Sequence, residues 1–407
     1  MTEAQDVRDS AAAWRRLAIA VATGTIGSVG MWSFVVALPA VQAEFGVDRA
    51  DASLPYTLTM AGFAVGAVLM GRLADRFGLL APLLAGALSL VTGYALSAIA
   101  STLVLFALAQ ILVGLGASAS FAPLMADLSH WFVKRRGVAV AVASSGNYLA
   151  GAIWPPILQH FISAQGWRPT YLAVGAFCLL TLIPLAFLLR QRAPVERGAA
   201  SLATSAGRAA APMAPAPLLA LLLAAGVACC VAMAMPQAHL VAYCAELGYG
   251  PARGAQMLSL MLAFGVVSRL ISGIVADRIG GLPTLLLGSS LQGVALFLYA
   301  MFDGLASLYV ISALFGLFQG GIVPMYAVIV REFFPAEKAG SAIGLVVMAT
   351  LVGMAFGGWV SGAIFDLTGS YQLAFVHGLA WNLLNIAICV FLLWRQGRRA
   401  PRRLAMA

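Results

Sequence analysis

Apolar residues in this chain gather into long blocks rather than into the short alternating or one-faced patterns of a soluble fold. Twelve blocks can be bracketed, at 14–40, 53–71, 80–100, 103–128, 137–157, 168–190, 217–244, 254–275, 281–301, 305–330, 339–364 and 371–394. Short polar segments separate them. A helix of about 20 apolar residues spans the hydrocarbon of a bilayer, and a helix satisfies its own backbone there without water. The pattern therefore predicts an all-α membrane protein with twelve transmembrane helices. Composition agrees. Of 407 residues, 62% are hydrophobic and only 10% charged, too few polar groups to cover a soluble body of this size.

The chain also repeats itself. Gly71-Arg-Leu-Ala-Asp75-Arg76-Phe-Gly78 returns as Gly273-Ile-Val-Ala-Asp277-Arg278-Ile-Gly280, at an offset of 202 residues. The same offset carries Gly114 onto Gly316, Trp131 onto Phe333, Phe132 onto Phe334 and Gly151 onto Gly353. A set of matches in one register means two copies of one unit. Residues 191–216, rich in Ala, Pro, Ser and Gly, read as a flexible linker. The expected organisation is a first six-helix bundle over 1–190, the linker over 191–216 and a second six-helix bundle over 217–407.

Charge adds an orientation. With the N-terminus inside, the even-numbered loops and both tails hold 20 of the 24 Lys and Arg, among them Arg15, Arg16, Lys134, Arg135 and Arg136. The positive-inside rule then puts both termini in the cytoplasm. The net charge of +9 is a topology signal, and with no basic stripe interleaved with aromatics a nucleic-acid partner is not expected. Cys178, Cys229, Cys230, Cys244 and Cys389 all lie in apolar blocks, without the spacing of a disulfide framework or a metal site. The first block is too long for a signal-peptide core, and its removal would leave the first repeat incomplete.

Within the blocks, polar and small residues mark the places that hydrocarbon alone does not explain. The first block carries Gly24, Gly27 and Gly30, spaced for close helix contact, then Trp32, which reads equally as packing or as a cavity wall. The fourth holds Gln110, Phe121 and Pro123 and ends at Asp127. The fifth holds Asn147 and Tyr148 and the Pro155-Pro156 pair. The seventh is kinked at Pro236, just before His239. The tenth carries Gln319 beside Gly320-Gly321, and the twelfth has Asn382 and Asn385 near its middle.

Arg269 is the strongest signal. It lies in the eighth block, roughly 5 Å from the midplane at 1.5 Å per residue, and a guanidinium does not give up its charge. Either an intramembrane acid pairs with it permanently, or an anionic ligand does. Asp127, Glu246, Asp303 and Asp366 fall at block ends or in loops, which favours the ligand, and a carboxylate fits the arginine fork in two-point fashion. His239 reads equally as a neutral imidazole bonded to a neighbouring helix or as a ligand contact, and imidazole also suits a proton carrier. Asp75, Arg76 and Asp127 are expected at one membrane surface as a network that latches helices together.

No nucleophile with a base, metal-spaced cluster or phosphate-cradling loop supports an enzyme. A channel or receptor is a better-founded rival. Two homologous halves with a ligand charge near mid-depth fit alternating access more closely.

The paired Gly71–Gly78 and Gly273–Gly280 turns, the twelve helices and the linker resemble the major facilitator superfamily over nearly the whole chain. Arg269 four residues before Gly273, the Trp131-Phe132-x-Lys134-Arg135-Arg136 loop and His239 after Pro236 resemble, more narrowly, the monocarboxylate transporter group and its bacterial relatives, including the oxalate:formate exchangers. That resemblance implies that Arg269 binds a monocarboxylate such as lactate or pyruvate between the halves, with a cotransported proton. Three positions depart from the pattern. Gly265 stands where proton-coupled members have an Asp, Ala40 follows Pro39 where they have a Lys, and Leu79-Leu80 replace basic residues after Gly78. Proton symport is therefore not carried over.

The expectation is an inner-membrane transporter with the major facilitator fold, a monomer among lipid, moving small organic anions with no cofactor and no metal. Its substrate contacts are Arg269, His239, Gln319, Phe121, Asn147 and Asn382. Its conformational latch is Gly71, Asp75, Arg76, Asp127, Gly273, Asp277 and Arg278. The alternatives are a dicarboxylate/monocarboxylate exchanger, a drug efflux pump of the same fold and a non-transporting sensor. A drug pump should show an intramembrane acid, and a sensor a sizeable cytoplasmic output region.

Overall fold

The computed structural model describes residues 9–132, 136–191 and 211–404. The expected loop residues Lys134 and Arg135, and most of the expected linker, lie outside them. Every regular element described is a helix. In chain order they are α1 (Ala11–Gly27), α2 (Val29–Phe45), α3 (Arg49–Phe77), α4 (Leu80–Ile99), α5 (Leu103–Ser118), α6 (Ala122–Trp131), α7 (Arg136–Ser144), α8 (Gly146–Gln165), α9 (Trp167–Leu188), α10 (Pro215–Glu246), α11 (Pro251–Ile279), α12 (Gly281–Met301), α13 (Leu305–Gln319), α14 (Ile322–Phe333), α15 (Ala336–Thr368) and α16 (Gln372–Leu404).

Eleven stretches among the described residues are long and apolar enough to cross a membrane. The fifth block is the exception. It forms α7 and the start of α8, which meet at Ser145, and Asn147, Pro155, Pro156, Gln159 and His160 dilute the apolar character of α8. The first, fourth and tenth blocks are likewise interrupted, at Ser28, at 119–121 and at 320–321.

The chain divides into two compact units. Unit 1 is Met1–Arg197 with Ala238–Ala263, and unit 2 is Gly198–Gln237 with Phe264–Ala407. In unit 1, α5 packs against α3 and α4, and α9 against α4. In unit 2, α12 packs against α13 and α16. With no water in hydrocarbon to drive apolar surfaces together, helix contact depends on close backbone approach. Glycine permits it. A Cβ on Gly62 would strike the backbone of Ile111, and one on Gly114 would lie 2.8 Å from the Thr59 carbonyl carbon. In unit 2 Gly353 and Gly357 of α15 bring their backbone against Val227 and Val231 of α10.

The two matching turns have a second use for glycine. Gly78 closes α3 at φ +83° and Gly280 closes α11 at φ +89°, a region that side chains with a Cβ rarely enter. Each donates its N–H to the last turn of its helix, to Ala74 O and Ala276 O. The repeated motif is thus a helix stop followed at once by the next helix.

Two substitutions separate these glycine roles. Gly114→Ala, with its new methyl forced into α3, is expected to cost about 1–3 kcal/mol. Gly71→Ala, where a Cβ would meet nothing within 4 Å, is expected to leave stability unchanged or raise it by up to about 1 kcal/mol. Thermal unfolding of the detergent-solubilised variants reads both.

Candidate functional site

The broken helices locate the site. An interrupted helix leaves carbonyls without their amide partners, and in a membrane interior something else must satisfy them. Gly320 O is one. Its own helical partner would be the amide of Pro324, which has no hydrogen. Arg269 of α11 supplies the bond, with Nε donating to Gly320 O at 3.2 Å. The contact is possible because α11 touches the break backbone to backbone: a Cβ on Gly320 would sit 2.7 Å from Gly265 Cα. Ser268, one residue before Arg269, accepts from Gly321 N at 3.1 Å. Arg269 is half-buried and Gln319, the residue before the break, is wholly enclosed. Within unit 2 the structure thus brings Arg269 and Gln319 to one place.

Unit 1 gathers its three breaks in the same manner. A Cβ on Gly24 of α1 would meet Ser120 O at 3.4 Å and Gly146 Cα at 3.6 Å. Gly27 faces the Ser120 side chain. The interruptions at Ser28, 119–121 and Ser145 therefore converge. Phe121 lies in one of them, half-buried and tilted against Phe63 at 6.1 Å between ring centres. Asn147 lies beside another, and Trp32 Nε1 donates to its backbone and side-chain oxygens at 3.1 and 3.2 Å. Trp154 Nε1 donates to Thr25 O at 3.0 Å. Ser259 donates to Ala152 O, a carbonyl whose helical partner is Pro156. His239 is fully buried in α10, one turn beyond Pro236.

Asn382, expected as a substrate contact, lies in the middle of α16. It is fully buried, and its Nδ2 donates to Ser289 O of α12 at 2.8 Å. Three residues on, Asn385 donates to Ser289 Oγ at 2.8 Å and accepts from Tyr326 OH at 3.1 Å. The middle of α16 is tied to its neighbours α12 and α14. A polar residue at helix mid-depth signals a need for a partner, and the sequence does not say which neighbour provides it.

The expected network of Asp75, Arg76 and Asp127 does not form here. Asp127 accepts from Arg16 Nε at 2.7 Å. Arg16 is 5% exposed, also donates to Leu189 O at 2.8 Å and lies over the Trp131 ring at 4.6 Å. Asp75 and Arg76 are exposed, with Arg76 over the Phe77 ring at 5.1 Å. A buried cation needs its counter-charge far more than a hydrated one does, so Arg16 holds the carboxylate. Asp277 and Arg278 are exposed too, and Gly273 is uncrowded. Glu332 instead accepts from Gly281 N at 2.8 Å, at the start of α12. The sequence reading counts Arg16 as a charge of the N-terminal tail. The signal was present: Arg16 shares a helix face with Ala13, Leu17 and Ala20, all buried, whereas Arg15 does not.

Among the described residues no group of three or more His, Cys, Asp and Glu side chains comes together as a metal site.

Comparison with known proteins follows the same lines. The family model described as Major Facilitator Superfamily matches residues 20–307 and 273–406. Monocarboxylate transporter 13 of Bos taurus is 28% identical over 367 residues, 88% of this chain and 84% of that protein. A Fujikurins efflux protein of Gibberella fujikuroi is 28% identical over 324 residues, 74% of this chain and 67% of that one. The crystal structure of a bacterial homolog to the human lysosomal transporter Spinster is similar in fold, with a TM-score of 0.67 at 14% identity over 94% of each chain.

The two aspartates should differ sharply in what they contribute. Asp127→Ala leaves Arg16 buried without its counter-charge and is expected to cost about 3–5 kcal/mol. Asp75→Ala, at an exposed position, should stay within about 0.5 kcal/mol. Denaturation of both variants in mild detergent checks the contrast.

Proposed function

This chain belongs to the Major Facilitator Superfamily, and on that footing we propose that it carries small organic anions, monocarboxylates such as lactate or pyruvate, by alternating access. As a member it is a multi-pass membrane transporter and not an enzyme. The observation that carries the substrate class is the way Arg269 is held. Nε of Arg269 donates to Gly320 O, which fixes a permanent cation beside a helix break, and a planar guanidinium is the side chain whose fork fits a carboxylate in two-point fashion. A cation fixed at a helix break in mid-membrane is also where transporters of this architecture gather their ligands. The likeness to a monocarboxylate transporter supports the same class. In the orientation proposed, the inner membrane of the cell holds the protein with both termini in the cytoplasm.

A second reading is export of larger organic molecules, favoured by the likeness to a fungal efflux protein. Uptake and efflux by proteoliposomes, over a panel from formate to aromatic acids, separates the two.

Arg269→Lys keeps the charge and loses the planar fork. Loss of one of two charge-assisted bonds, about 1.5–3 kcal/mol, should weaken binding by about 10- to 100-fold while the protein still folds. Affinity for every transported acid near that of wild type would take Arg269 out of the site.

Coupling to protons, in this proposal, runs through His239, because imidazole is the side chain whose ordinary charge change falls nearest neutral pH. His239→Gln should retain anion exchange and lose accumulation driven by an inward proton gradient. A wild type indifferent to the gradient would be an exchanger or a uniporter.

A further inference from the structure

The two repeats keep their helix contacts in register even where the chemistry differs. Tyr299 of α12 and Ser312 of α13 share a hydrogen bond of 2.7 Å between their hydroxyls. Their counterparts 202 residues earlier, Ser97 of α4 and Gln110 of α5, are also bonded, at 2.9 Å. Two helical turns along each helix from the Tyr299–Ser312 pair, on the same faces, stand Gln292 and Gln319. The far side of this stretch is fixed as well, since a Cβ on Gly288 would meet Ile322 at 3.0 Å and Phe318 O at 3.4 Å. Gln292 thus stands across from Gln319, the residue that precedes the Arg269–Gly320 contact. Both are 0% exposed.

Neither the nitrogen nor the oxygen of the Gln292 amide has a protein partner, and Asn382 Oδ1 has none either. Asn382 lies across the same turn of α12: its Nδ2 reaches Ser289 O, and a Cβ on Gly293 would meet that nitrogen at 2.7 Å. Buried amides are almost always bonded, to protein or to ordered water. The counterparts in unit 1 are Leu90 for Gln292 and Ala117 for Gln319, both fully buried, with Ala67 in place of Arg269. The fold therefore manages this contact with apolar side chains. Polarity enters only in the repeat that has the arginine.

We infer that Gln292 is a positioning residue for the anion site, framing with Asn382 a buried polar pocket in unit 2 that takes up ordered water and, through it, steadies the Gln319 amide beside the Arg269–Gly320 contact. A water molecule needs two to four polar partners, and the three unpartnered atoms provide both donor and acceptors. The inference rests on the anion reading for its role and on the polar pocket for its existence.

The test compares Gln292→Met, equal in length and without hydrogen-bonding capacity, with Gln292→Asn, which keeps the amide. Purified protein is measured for thermal unfolding without substrate and, in proteoliposomes, for KM and Vmax of radiolabelled lactate uptake. The expected result is a melting temperature for Gln292→Met at or above wild type, a KM raised about tenfold with Vmax little changed, and partial recovery of KM in Gln292→Asn. An unchanged KM in Gln292→Met overturns the inference, as does equal loss of transport and melting temperature in both variants. A crystal structure at a resolution that shows ordered water gives an arm independent of the solute. Water between Gln292 and Asn382 in wild type and its absence from Gln292→Met support the pocket, and a dry pocket in wild type overturns it. If wild type carries no carboxylate at all, the anion reading fails, and the water density alone then decides whether the pocket stands.

Discussion

A backbone carbonyl with no amide to receive it is intolerable in a medium without water, and much of this structure follows from that constraint. Pro324 deprives Gly320 O of its helical partner, and Arg269 replaces it. Pro156 does the same to Ala152 O, and Ser259 replaces it. Both donors come from α11. The arrangement works in two directions. At Gly320 the break gains a donor, and the guanidinium gains a carbonyl to receive it. The glycines at 265 and 320 bring the two backbones close enough for the exchange. What reads in the sequence as separate oddities (a charged residue, a glycine pair, a proline) is a single arrangement in space.

Unit 1 is held at both of its ends. Where α1 begins, Arg16 joins Asp127 of α6 and Leu189 at the end of α9. At the other end, Arg168 of α9 pairs with Glu44 of α2 at 2.7 Å and donates to Ala98 O of α4 at 2.7 Å, while Trp167 Nε1 donates to the same carboxylate. The two clasps differ in worth. Arg16 is sealed from water, so its pairing is strong and costly to break. Arg168 and Glu44 are 30% and 41% exposed, where hydration and salt weaken the attraction. In unit 2, neutral amides and hydroxyls join α12, α13, α14 and α16, beside the charge-assisted contacts of Arg269 with Gly320 O and of Glu332 with Gly281 N.

The sequence showed the helical membrane fold and the family, because run length and the repeated turn are properties of the chain itself. Arg269 was visible for the same reason, as a charge with no apolar explanation. The partner of Asp127 was not, because charge near a block end was read by its sequence position and not by its helix face. Arg15 and Arg16 are neighbours in sequence with opposite surroundings. Asn382 was visible as a polar residue at mid-depth, but its direction depends on which helix lies beside α16. The break at Ser145 gave no proline signal, since the prolines of that block come ten residues later. Gln292 escaped notice altogether. A single glutamine in an apolar run looks unremarkable until its position is compared with Leu90.

The offset that joins the two halves has a genealogical meaning. If both descend from one six-helix ancestor, then Ser97–Gln110 and Tyr299–Ser312 are the same ancestral contact after separate histories. Both positions of that pairing differ between the halves, and the bond between the helices is present in each. Inheritance here preserved a relation between places, not the residues that filled them. A duplicated membrane protein consequently contains its own record of tolerance, with each half a long natural trial of the other's positions. Differences that keep a relation are drift, and differences that create one in a single copy are where the halves took up separate work.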